Sequence, residues 1–147
     1  NPKPSLAELT ATAIKTLNRN PHGFFLMVEQ ENIDEGSHEN KLKYMVGQLK
    51  LFDDAVKVGI DFALQEQRTL VVVLADHETG GLQIDAGSIS EGTIRVVWTT
   101  TSHTGQPISL FAFGPHALRF TGLKDNTDIP KLLAEKLGIG SFPRRLN

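Results

Sequence analysis

The chain has 147 residues, 39% hydrophobic and 22% charged, long enough for one domain with a real core and too apolar to stay disordered. A net charge of −2 gives no basis for nucleic acid or an anionic membrane as partner, and no run reaches the roughly 18 apolar residues of a membrane span. There is no cysteine, so disulfides and thiolate chemistry are excluded, and any metal site must use histidines and carboxylates.

In chain order, the opening Asn1-Pro2-Lys3-Pro4-Ser5, without methionine, predicts a processed or excised piece. Leu6, Leu9, Ala13, Ile14 and Leu17 then share one helical face, Ser5 with Glu8 forms a capping-box signature, and Asn20-Pro21 stops the helix. The apolar run from Gly23 to Glu29 predicts a buried strand. A polar loop follows, then a long helix from about His38 to Gln65, with Leu42, Met45, Leu49, Phe52, Val56, Ile60 and Ala63 at helical spacing. Residues 69–76, "TLVVVLAD", predict a second buried strand, with Val71 to Leu74 buried on both sheet faces. Residues 80–101 read as a short β-like excursion punctuated by glycine and serine. "ISLFAFGP", residues 108–115, is a third strand stopped by Gly114-Pro115. A last helix spans about Thr127 to Leu137 and ends at Gly138, before a loop-like tail. Alternating strands and helices indicate a single α/β region over 1–147, with a largely parallel sheet flanked by helices.

The chemistry-bearing residues gather at predicted strand ends. Glu29 closes the first strand, and Asp34 and His38 follow it, four apart and so on one face of any helical turn. Asp76 and His77 close the second strand, and His103 precedes the third. In open α/β sheets the carboxyl ends of the strands are where sites assemble. Histidine with carboxylate is the donor set of zinc, three protein ligands with a free position mark a catalytic site, and a carboxylate such as Glu29 suits magnesium. Each residue also has a plain structural reading: His38 as a helix cap, Asp34 as a turn former beside Gly36, His103 as a loop histidine, Glu29 as a solvated strand end. Together that reading weakens, because three of five histidines fall at loop–strand boundaries near acids; His22 and His116 lack acidic neighbours and read as surface residues.

The stretches "GFFLMVEQENIDEGSHEN", "LVVVLADHETGG" and "SHTGQPISLFAFGP", with the helix from Phe52 to Ala63, resemble the C-terminal part of alkaline phosphatase. The resemblance runs over nearly the whole chain. Its motifs are specific: Glu, five residues on Asp, four more on His, then an Asp-His pair, then His-Thr-Gly. It implies one zinc held by Asp34, His38 and His103, a second zinc with ligands Asp76 and His77, and magnesium with ligand Glu29. It further implies hydrolysis of phosphate monoesters through a phosphoserine, a periplasmic or secreted location, and room for a homodimer.

The resemblance has gaps. Glu35 stands where well-known relatives carry a basic residue, and the short span from His77 to His103 leaves little room for their inserted subdomain. The family's nucleophilic serine, in an Asp-Ser-Ala type motif, its phosphate-gripping arginine and its metal-bridging aspartate cannot be placed here. Ser102 stands beside the proposed ligand His103, and neighbours on an extended chain point to opposite sides. Arg68, Arg95 and Arg119 match no phosphate-binding motif. The chain therefore reads as metal ligands without a nucleophile, inactive alone, with a missing N-terminal portion of the same enzyme as its partner. The alternatives are a related metal-dependent phosphoryl-transfer enzyme (a phosphodiesterase or phosphoglycerate mutase) and a non-enzymatic α/β module.

Overall fold

The structure, a computed structural model, describes residues 3–143; the outermost residues of the expected start and tail lie outside that range. Helix α1 covers Leu6–Leu17 and begins in a capping box: the Ser5 hydroxyl accepts from the Glu8 amide at 3.2 Å while the Ser5 amide donates to the Glu8 carboxylate at 2.7 Å. That pairing holds the Glu8 carboxyl below its ordinary range. Ile14 and Thr10 are buried where α1 packs on the long helix.

The long helix expected from about His38 to Gln65 is α3 at Leu42–Glu66, and the polar loop expected before it holds a further short helix, α2 at Asn32–His38. The break between them is a Schellman closure. Asn40 takes a left-handed φ of 52°, its amide donates to the Ser37 carbonyl at 3.0 Å, and the Lys41 amide donates to the Gly36 carbonyl at 2.9 Å. Gly36 lets α2 sit directly on α3, since a β-carbon there would come within 3.0 Å of the Met45 α-carbon.

The expected buried strand at Gly23–Glu29 is extended but joins no ladder among the described residues. Its side chains do alternate: Phe24, Leu26 and Val28 are half-buried, and Phe24 reaches Phe62 of α3 with ring centroids 6.2 Å apart. Phe25 and Met27 on the other side are 59% and 74% exposed. One face is covered and the other is not.

Strands β1 (Val71–Val73), β2 (Glu78–Thr79), β3 (Gln83–Ser88), β4 (Thr93–Val97), β5 (His103–Thr104) and β6 (Phe111–Phe113) form three two-stranded ladders, β1–β6, β2–β5 and β3–β4. All three are antiparallel, which corrects the expectation of a largely parallel sheet within this stretch. The reason is local. The β2–β5 pair closes the excursion that carries the β3–β4 hairpin, so the chain re-enters at the end of β1 that it had left, and β6 runs back along it. Burial of β1 on both faces is also corrected: its three valines are half-buried and Leu74 is 39% exposed. Val71 and Val73 face Val46, Phe52, Val56 and Ile60 of α3 across a cavity of about 610 Å³. After a short 3-10 turn at Ala117–Phe120, helix α4 (Asp128–Lys136) ends in a second such closure, with Gly138 at φ 71°. Helices beside short strands make the arrangement α/β.

Candidate metal centre

The site forms where β1 ends and β5 begins. Asp34 lies in the first turn of α2 and His38 in its last, one helical turn apart on the same face, and His38 Nε2 lies 3.2 Å from Asp34 Oδ2. His103, on β5, brings its Nε2 to 3.0 Å from His38 Nε2 and 3.7 Å from Asp34 Oδ1. Donor atoms around a tetrahedral ion with metal–ligand distances of 2.0–2.1 Å stand about 3.3 Å apart. The Asp34 carboxylate reaches His38 through Oδ2 and His103 through Oδ1, so it and the two imidazole nitrogens stand at spacings of 3.0–3.7 Å, near those around such an ion, and two imidazoles with a carboxylate fit zinc by chemistry.

His77 extends the cluster. Its ring stacks on His103 with centroids 3.6 Å apart, and Asp34, His77 and His103 each present a donor atom within 4.8 Å of the others. Asp34 thus stands between two groups of donors. On the far side, Asp76 Oδ2 lies 3.2 Å from His77 Nε2, and Asp76 Oδ1 accepts the His77 backbone amide at 3.1 Å. Asp76 is 86% exposed at its side chain, whereas Asp34 and His38 are little more than one-third exposed. Glu29 stands apart, exposed at the end of its extended segment, with no hydrogen bond or ion pair to the cluster among the described residues. His22 and His116 are exposed and outside it. The three arginines pair elsewhere: Arg68 with Glu66, Arg95 with Asp85 and Arg119 with Glu135.

Several supporting residues carried no signal in the sequence. His38 Nδ1 donates to the Thr101 carbonyl at 2.6 Å, which sets the tautomer and leaves Nε2 free as a donor to metal. The Thr79 hydroxyl donates to Asp34 Oδ1 and lies 3.2 Å from His77 Nδ1. Burial works against the charge of Glu78. Hydrogen bonds from Thr104, Leu82 and Gly81, with His103 nearby, outweigh it and hold the carboxyl below its ordinary range.

An α/β frame that gathers imidazoles and carboxylates at strand ends defines the class: a chain with the donor set of a divalent-metal site. The family model for alkaline phosphatase matches residues 1–95 and 91–139. Alkaline phosphatase of Escherichia coli is 34% identical over 92% of this chain and 32% of its own length. Alkaline phosphatase 3 of Bacillus subtilis is 30% identical over 87% of this chain and 43% of its own. The solved alkaline phosphatase of the Antarctic bacterium TAB5 superposes with a TM-score of 0.83 at 33% identity, over 90% of this chain and 40% of that one. A mutant of that enzyme was solved with Mg bound in the M3 site. The chain belongs to the alkaline phosphatase family and has its fold. It spans less than half the length of each of these relatives.

Proposed function

We propose that the chain carries the metal-binding part of an enzyme that hydrolyses phosphate monoesters through a phosphoserine. The observation that carries the reading is the meeting of Asp34, His38 and His103 with donor atoms 3.0–3.7 Å apart. In this reading those three hold one zinc, Asp76 and His77 contribute to a second, and Glu29 serves magnesium. When bound, the ions supply positive charge at the attacking and leaving oxygens of an in-line displacement at phosphorus.

The chain's own residues do the placing. The Thr101 carbonyl fixes the His38 ring, the Thr79 hydroxyl orients Asp34 between the two groups of donors, and the half-exposed histidines leave a phosphate ester free to approach. No hydrogen bond among the described residues joins the Ser102 side chain to a histidine or carboxylate, so no base is placed to activate it. The nucleophile is then supplied by polypeptide beyond these residues, and the chain alone is inactive. The same reading carries a periplasmic or secreted location and allows a homodimer.

Calorimetric titration with zinc tests it. The expected outcome is two equivalents, the tighter at Asp34, His38 and His103, since that site has three ligands in the chain and the other two. His38→Ala and His103→Ala should each cost at least the roughly 10–100-fold that loss of an outer supporting group costs. Wild-type zinc affinity in both variants would show the assignment to be wrong.

A further inference from the structure

We propose that Glu78 is a positioning residue that holds His77 and His103 in register, an inference that rests on reading the cluster as a metal site. Its carboxylate receives three hydrogen bonds from two separate segments. Oε2 accepts the Gly81 amide at 3.2 Å and the Thr104 hydroxyl, and Oε1 accepts the Leu82 amide at 3.2 Å. Glu78 follows His77 directly, and Thr104 follows His103 directly. In the β2–β5 ladder Glu78 sits opposite Thr104, and Thr79 opposite His103.

That ladder is only two residues long on each side. A ladder so short has few backbone bonds to fix its register, and a register error would carry His103 away from Asp34. The Glu78–Thr104 bond supplies a fixed side-chain tie at that point, and the two amide bonds fold the turn after His77 back onto the same carboxylate. The rings it aligns lie 3.6 Å apart and 25° from parallel. Glu78 donates nothing to a metal in this arrangement. It acts through His77 and His103.

The test uses the 147-residue chain with Glu78→Ala, Glu78→Gln and Thr104→Val, each measured by zinc titration and by imidazole resonances in NMR without metal. Glu78→Ala should lose about 10–100-fold in zinc affinity, the scale for outer-shell partners of metal ligands. It should also shift the ring resonances of His77 and His103 and leave those of His22 in place. Glu78→Gln, which keeps a carbonyl acceptor, should recover most of the affinity. Thr104→Val removes only the hydroxyl tie, so it decides the matter if Glu78→Ala does not fold. A merely structural Glu78 would lower the melting temperature with zinc affinity and ring resonances unchanged in the folded variant, and that result overturns the proposal. A wild-type chain that binds no zinc would overturn the metal reading instead, and the ring resonances would still decide whether Glu78 aligns the histidines.

Discussion

Gly80 is the point where the turn after His77 meets the strand carrying His103. Its amide donates to the Ser102 carbonyl at 3.0 Å, and its own carbonyl accepts the Thr99 and Thr100 amides at 3.0 and 3.2 Å. Its φ of 89° is open to glycine, and a β-carbon would meet the Trp98 ring on one side and the Ser37 carbonyl on the other. Gly80→Ala should therefore destabilise by more than about 1 kcal/mol. Because Trp98 is the chain's single tryptophan, the same change should move its fluorescence emission. An unaltered emission maximum and melting temperature would show that the close approach is not needed. At this scale the sequence exposed the candidate ligands, since Asp34 and His38 share a helical face and Asp76-His77 interrupts an apolar run. It did not expose their supports. The Thr101 carbonyl has no side-chain signature, and Thr79 and Thr104 find their carboxylates 45 and 26 residues away.

Among the elements, α1 and α4 were legible because each carries its own stop and start chemistry, Ser5 with Glu8 at one and Gly138 at the other. The short helix α2 was harder to see, since its seven residues hold a single large apolar side chain, Ile33, and only Asn40 marks the left-handed residue that separates it from α3. Strand pairing was misread because an apolar run reports burial on a sheet but says nothing of the partner's direction. The valines of β1 make this testable. Val71 lies against Gly59 of α3, where its methyl carbons would be 3.8 and 3.9 Å from an added β-carbon, while Val72 on the opposite pleat does not line the cavity against α3. An unpaired carboxylate facing α3 costs more than an unpaired neutral polar group there, and less where water reaches it. Val71→Asp should therefore lower the denaturation midpoint much more than Val72→Asp. Equal effects, or a soluble and cooperatively melting Val71→Asp protein as stable as wild type, would refute the one-sided packing of β1 on α3.

Over the whole molecule the surface is far larger than the mass requires. A compact monomer of 16.1 kDa exposes about 7,400 Å², whereas this chain exposes 11047 Å², and among the described residues no side chain is fully buried. The excess is partly apolar and includes Phe25 and Met27 on the unpaired segment and Phe111 at 65% exposure on β6. In the proposed reading these faces are covered by the part of the relatives' length that this chain does not span, and the nucleophile arrives with that part. The isolated 147 residues should then show no p-nitrophenyl phosphate hydrolysis above background in the presence of zinc and magnesium, because among the described residues no base is hydrogen-bonded to the Ser102 side chain, and Arg68, Arg95 and Arg119 pair with carboxylates elsewhere. Co-expression with a polypeptide supplying the unspanned part should restore turnover, and His103→Ala in this chain should remove it again. Zinc-dependent turnover by the isolated chain, abolished by Ser102→Ala, would show instead that a nucleophile already lies within these residues.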